Sequence, residues 1–231
     1  VLRVLMGHSS VRVDWRRTAG ALERLNGFQL DGYINQDVGP LDYITRQLLP
    51  ILPCSMQFGP EGMFVEVWPW LDGGDEVAYR LDADDGGFAP AGKVRYEEAS
   101  ASGITLDYAW DPQKKGYSKS YTADASSSYP PNISPTEIGE HVSMKSRMLW
   151  DDTTAAALVE TRLKYVSQPS RVRRYTADPD IYGLGGEREL RVGMPVSITD
   201  AGLGWTDKLA WVDEIQRTGE AMSVTLRIRE W

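Results

Sequence analysis

Apolar residues recur every second position in some stretches of this chain and every third or fourth in others, which predicts strands and helices respectively. Val1, Val4, Val11 and Val13 make residues 1–14 an extended, β-forming segment; residues 15–27 are Arg-rich and mixed, and Phe28 to Asn35 reads as a further strand. A helix is predicted from Pro40, at a first helical position after Gly39, with Leu41, Ile44, Leu48, Ile51 and Leu52 as one apolar stripe and Pro50 and Pro53 ending it. Cys54–Phe58 and Met63–Trp68 flank Gly59-Pro60-Glu61-Gly62, the signature of a hairpin, so helix and hairpin together suggest a small α+β unit. The Asp- and Gly-rich runs at Asp72–Asp75 and Asp82–Gly92 read as a linker or domain boundary.

Residues 93–122 read as strands. Ile104 to Trp110 alternates large residues with small or polar ones, Asp111–Gly116 is a turn, and Tyr117–Thr122 returns. Ala123 to Pro135 is a Ser/Pro-rich loop and Met144–Trp150 is strand-like. A second helix starts at Asp151 or Asp152, either of which can accept from the orphan amides of its first turn. Ala155, Leu158, Val159, Leu163 and Val166 form its stripe, and Pro169 forbids continuation before a strand at Arg171–Ala177. Val196 and Ile198 alternate with polar residues, Leu209–Ile215 alternates imperfectly as a bulged strand would, and Val224, Leu226 and Ile228 close a terminal hairpin with one wet face. No repeat of fixed period is found.

Composition narrows the classes. The chain has 231 residues, enough for one large or two modest domains, with ordinary hydrophobic (42%) and charged (25%) fractions. A formal net charge of −8 opposes free duplex-DNA binding, despite the local cluster Arg171, Arg173 and Arg174. It suits a wall past which DNA slides without sticking. One cysteine, Cys54, rules out an internal disulfide, and no run of 18 apolar residues predicts a membrane span. The opening from Val1 lacks signal-peptide organisation, and the expectation is that further residues precede it.

Residues 104–231 carry a resemblance. The strand ITLDYAWDPQKKGYSKSY leads to a strand ending in Trp150, then to the Ala-rich helix DDTTAAALVETRLKYVSQP, then to RVRRYTA, LRVGMPVSITDAGLG and a closing hairpin. This order is similar to the baseplate or tail hub proteins of long-tailed phages. The family's phrase is matched at Leu190, Gly193, Val196, Ile198, Thr199 and Asp200, with Met194-Pro195 where Asp-Val is common. The resemblance implies an α+β, β-rich fold: a small, tail-tube-like β-barrel or sandwich domain over residues 93–231 with a flanking helix 151–166, and a smaller α+β domain of helix and hairpin over 28–92. Residues 1–27 would end an upstream barrel. It further implies a homotrimer joining the tail tube or distal tail protein to the spike, tip or fibre protein, with DNA only passing through the lumen, in a virion assembled in the bacterial host cytoplasm.

Candidate chemistry is sparse. His8, His141 and Cys54 give no HExxH or paired CxxC, so no metal or other cofactor is expected. Asp82 to Gly87 superficially resembles a calcium loop, but its fifth position is Gly86 and its twelfth Lys93, where a bidentate Glu is needed. Gly183–Gly186 lacks the phosphate-loop pattern, and no GxSxG is present. Glu97 and Glu98, adjacent on a strand, point to opposite faces and do not pair for glycoside hydrolysis. No catalytic residue is therefore expected. Trp110, Trp150, Trp205, Trp211 and Trp231, with Trp68 and Trp70, are candidates for core or subunit contacts. Two alternatives stay open: a carbohydrate-binding module with exposed Trp and Tyr, and a motif-poor glycosidase.

Overall fold

The computed structural model describes residues 1–30, 39–59, 61–68, 77–97, 101–124, 140–167, 170–218 and 220–229. The helices are α1 (Leu2–Gly7), α2 (Trp15–Leu25), α3 (Pro40–Tyr43, continued by a π-helical turn Ile44–Leu48), α4 (Asp152–Val166) and α5 (Pro179–Tyr182). The strands are β1 (Cys54–Gly59), β2 (Gly62–Val67), β3 (Tyr79–Asp82), β4 (Phe88–Pro90), β5 (Arg95–Glu97), β6 (Gly103–Asp111), β7 (Gly116–Asp124), β8 (His141–Lys145), β9 (Ser170–Ala177), β10 (Pro195–Asp200), β11 (Trp205–Thr218) and β12 (Ala221–Arg229). The fold is mixed α+β and β-rich.

Contacts divide the chain into two compact units, each made from two separated segments: residues 1–68 with 100–167, and 69–99 with 168–231. This differs from the contiguous division expected at 27 and 92. Helix 151–166 belongs with the first unit and not with the last strands, because its apolar stripe is satisfied by the β6–β7 hairpin.

In the first unit α1 replaces the expected strand. Leu2 and Met6 are four residues apart and buried, whereas Val1 and Val4 face water, so burial at helical spacing outweighs the β-preference of valine. The Arg-rich stretch forms α2, capped by Asp14, whose side chain accepts from the Arg17 amide at 3.1 Å. The amide of Asp14 donates to Met63 O and that of Met63 to Arg12 O, tying this segment to β2. A Cβ at Gly62 (φ +128°) would lie 2.4 Å from Arg12 O, so glycine is required there. The stripe of the next helix is buried at Ile44, Leu48, Ile51 and Leu52, but over a π turn closed by Leu49 N donating to Ile44 O. The β1–β2 hairpin forms as expected.

A second sheet in this unit has the order β7-β6-β8, with β8 parallel to β6. Ile104, Leu106 and Tyr108 are buried beneath α4, which contributes Ala155, Leu158, Val159 and Leu163. The opposite face is polar throughout: Thr105 and Asp107 on β6, Ser120, Thr122 and Asp124 on β7, His141 and Ser143 on β8. Asp151 caps α4, accepting from Thr154 N at 2.6 Å.

The second unit is one sheet in the order β3-β10-β11-β12-β9-β4, with β5 also on β9. Flat, its two edges would stand about 24 Å apart at ordinary strand spacing. Yet only six residue steps link Asp82 to Phe88, at most about 20 Å extended. That link is also folded into turns by Asp85 N donating to Asp82 O and Phe88 N to Asp85 O. The sheet therefore curls, bringing its edges round a core of Leu81, Phe88, Tyr175, Val196, Ile198, Val212, Val224 and Leu226. Among the described residues no ladder joins β3 to β4, so the barrel is open. Residues 82–92, read as linker, are instead part of this sheet, because Ala83 and Phe88 are buried in its core. The irregular alternation at Leu209–Ile215 is a β-bulge: the β11–β12 register shifts between Val212 and Glu214. Arg227 of β12 grips Asp213 there through two hydrogen bonds (3.2 and 3.1 Å) and also holds Glu97 of β5.

Candidate interaction surfaces

The sequence-derived tryptophans go to different places. Trp205 (6% exposed) and Trp211 (8%) are buried in the second unit. Trp110 lies at the end of β6, edge-on to Tyr117 directly across the hairpin (5.0 Å), with the Arg147 guanidinium 4.2 Å above its ring. Trp150 is 47% exposed, next to Leu149, whose carbonyl accepts from the Ala109 amide. Trp68 packs on Tyr165 and under Arg162. Trp70 and Trp231 lie outside the described residues, as do residues 31–35 of the strand expected from Phe28. Of the described candidates, Trp150 is the exposed one.

Trp110, Tyr117, Arg147 and the turn lysines Lys114 and Lys115 assemble a cationic, aromatic end to the β6–β7 hairpin. The turn is fixed from within: Asp111 Oδ1 accepts from the amides of Gln113 (2.9 Å) and Lys114 (3.3 Å), and Lys115 takes a left-handed φ of 51°. Arg147 has no carboxylate partner among the described residues. The turn lies where the sequence predicts it, whereas Arg147, which the sequence did not single out, comes from an irregular segment after β8.

On the polar face of the same sheet, the His141 ring lies 2.7 Å from Thr105 Oγ1 through Nε2 and 3.8 Å from Asp124 Oδ1 through Nδ1. Thr105 Oγ1 also meets Thr122 Oγ1 at 2.9 Å. Gly103 lies beneath, where a Cβ would come within 2.7 Å of both Asp124 and His141. The order hydroxyl, imidazole, carboxylate is that of a nucleophile relay. Here it lies on an open sheet, with His141 43% and Asp124 64% exposed, and Thr105 is already engaged by a second hydroxyl. It is a surface hydrogen-bond row.

Burial raises some groups and hydrogen bonding lowers others. The Cys54 thiol is pushed up to about 12 by burial, which leaves it un-ionised and unreactive. Tyr108 is pushed up to about 12 by burial and by its hydrogen bond to Asp152. Asp152 is in turn held below the ordinary carboxylate range by Lys119 and Tyr108, and Asp151 by the Thr154 amide. In the second unit Tyr175 is raised by burial and by donating to Asp200 at 2.9 Å, where Arg173 also bonds.

Among the described residues no group of three or more His, Cys, Asp or Glu is arranged to hold a metal. No helix among them is long and apolar enough to cross a membrane. The Gly183–Gly186 loop is a tight turn. A Cβ at Gly183 would lie 2.1 Å from Pro179 O, and one at Gly186 2.4 Å from Ile181 O.

No protein-family model matches the chain, and no curated protein matches it. Solved structures do. A chain of the native gene transfer agent virion is 16% identical, with a TM-score of 0.45 over 67% of this chain and 32% of that one. The tail protein from Neisseria meningitidis MC58 is 12% identical, with a TM-score of 0.48 over 85% of this chain and 57% of that one. The 43 kDa tail protein of prophage MuSo2 from Shewanella oneidensis is 12% identical, with a TM-score of 0.46 over 85% and 56%. The chain thus spans between a third and just over half of the solved chains it matches. No residue role is carried over from them.

Proposed function

We propose that this chain is a structural, non-enzymatic part of a phage-type tail: a hub that joins the tail tube to a spike or tip. It works in the virion as a homotrimer around a channel through which DNA passes. Its partners are copies of itself, a tail tube or distal tail protein, and a spike, tip or fibre protein. The observation that carries the reading is the agreement between a sequence pattern and a fold. The hub-like phrase from Leu190 to Gly204 runs into and out of β10 of a curled, open sheet, and the Ala-rich helix α4 precedes the strand β9. The edges of that sheet are short strands, β3 and β4, suited to pairing or packing against neighbours. A net charge of −8 suits a lumen that must not hold DNA.

The carbohydrate-platform alternative loses Trp205 and Trp211 to the core. Light scattering after gel filtration tests the hub reading. The expected mass is three chains of 25.8 kDa. A strict monomer at high concentration overturns it.

A further inference from the structure

Two rigid loops of opposite charge stand out on this acidic chain. The first is the hairpin tip at 111–116, where Lys114 and Lys115 project beside Trp110, Tyr117 and Arg147. The second is the link between β3 and β4. There Asp82 Oδ1 accepts from the Asp84 amide at 3.0 Å and Asp85 N donates to Asp82 O, while Asp82, Asp84 and Asp85 are all exposed. Both are held by an aspartate that hydrogen-bonds its own backbone two residues on, so both enter a contact already ordered. Neither the Asp84 nor the Asp85 carboxylate has a partner among the described residues. Lys115 has none either, and Lys114 reaches only Asp111, at 3.8 Å.

We infer that the cationic hairpin tip of one copy docks on the Asp82–Asp85 loop of a second copy. This inference rests on the self-association proposed above and names its contact. The choice of a second copy follows from charge complementarity. A cationic, aromatic surface on a chain of net charge −8 is matched by an uncompensated carboxylate loop that every copy carries. Repeated head to tail, with each tip on the loop of the next copy, the contact is heterologous, and it closes into a ring when its rotation closes. Exposed ion pairs alone contribute little. Trp110, packed with Tyr117 and Arg147, supplies the apolar anchor, and the charges set register and approach rate.

The test uses the whole chain and reads its mass by light scattering at low and high salt. Lys114→Glu with Lys115→Glu, and separately Asp84→Lys with Asp85→Lys, are each expected to weaken association at least ~10-fold. The quadruple variant carrying both reversals on one chain is expected to regain the wild-type mass. That rescue separates lost contact from lost folding. Both double variants keeping the wild-type mass would overturn the docking and leave self-association standing. A wild-type monomer would overturn both. Failure of the quadruple variant to reassemble, with both doubles dissociated and still folded by circular dichroism, also overturns it.

Discussion

The two units use polar side chains in opposite ways. In the second, Asp200 is 2% exposed and takes hydrogen bonds from Arg173 and from Tyr175, itself fully buried, inside the curl of the sheet. In the first, His141, Thr105, Thr122 and Asp124 make a comparable row on a sheet face open to water. The chemistry is similar and the surroundings are not. A buried carboxylate and guanidinium have given up hydration that only their mutual bonds replace, whereas an exposed pair exchanges one set of hydrogen bonds for another with water. The buried cluster is also not fully satisfied, since Arg173 Nε has no partner among the described residues. Removing one member of it should therefore be far more damaging than removing one member of the exposed row.

The largest effect is expected at Asp200. Asp200→Ala leaves Arg173 and the Tyr175 hydroxyl buried and unpaired, which should cost about 3–5 kcal/mol. Urea unfolding followed by tryptophan fluorescence, with Trp205 and Trp211 as reporters inside the same unit, measures it. Arg173→Met combined with Asp200→Leu should recover part of the loss, because it removes the stranded charge as well as its partner. A single variant as stable as wild type would mean that water reaches this cluster and that the contrast between the units is false.

What could be read from the sequence follows the range of the interactions concerned. The β1–β2 and β11–β12 hairpins, helix α4 with its Asp151 cap and the bulge near Asp213 depend on neighbours within a few residues. Alternation, a capping residue and an irregular step in the period reveal such elements. The α1 helix is hidden because Val1, Val4, Val11 and Val13 give residues 1–14 a strand-like pattern, which the burial of Leu2 and Met6 reverses over residues 2–7. Residues 82–92 were misread as linker because Leu81 pairs with β10 and Phe88 with β9, each about a hundred residues away. The interleaving of the two units was hidden for the same reason. Of the candidate surface, Trp110 and its turn were legible, whereas the stacking of Arg147 needed the path of an irregular segment.

An acid titration sharpens the comparison at an intermediate level. Asp151 is held below the ordinary carboxylate range by the Thr154 amide, and Asp152 by Lys119 and Tyr108. Their folded-state pKa values lie below the unfolded ones, so their contribution is fully present above the unfolded value. It is lost as pH falls through the folded one, a loss that begins below about pH 4. The protection factors of amides in the first turn of α4 should fall over that window before those of β9–β12 do. Asp151→Ala should remove most of that pH dependence from the helix start, while Glu at the same position should keep part of it. Simultaneous opening of both units would show that the α4 cap does not set the acid limb.

The smallest effect is expected in the exposed row. His141→Gln keeps a polar side chain opposite Thr105 and should change stability by no more than about 0.5 kcal/mol, the ordinary range for surface positions. Thr105→Val, which keeps a β-branched residue in the strand, should behave alike. Differential scanning calorimetry of both variants at neutral pH checks this. A loss of more than about 2 kcal/mol at either position would contradict surface behaviour. The polar face would then have to be covered in the working protein, so repeating the measurement at low and at high protein concentration would show whether a second copy covers it. Equal small effects in both states would leave the row as solvated sheet surface and confine the costly polar contacts to the second unit.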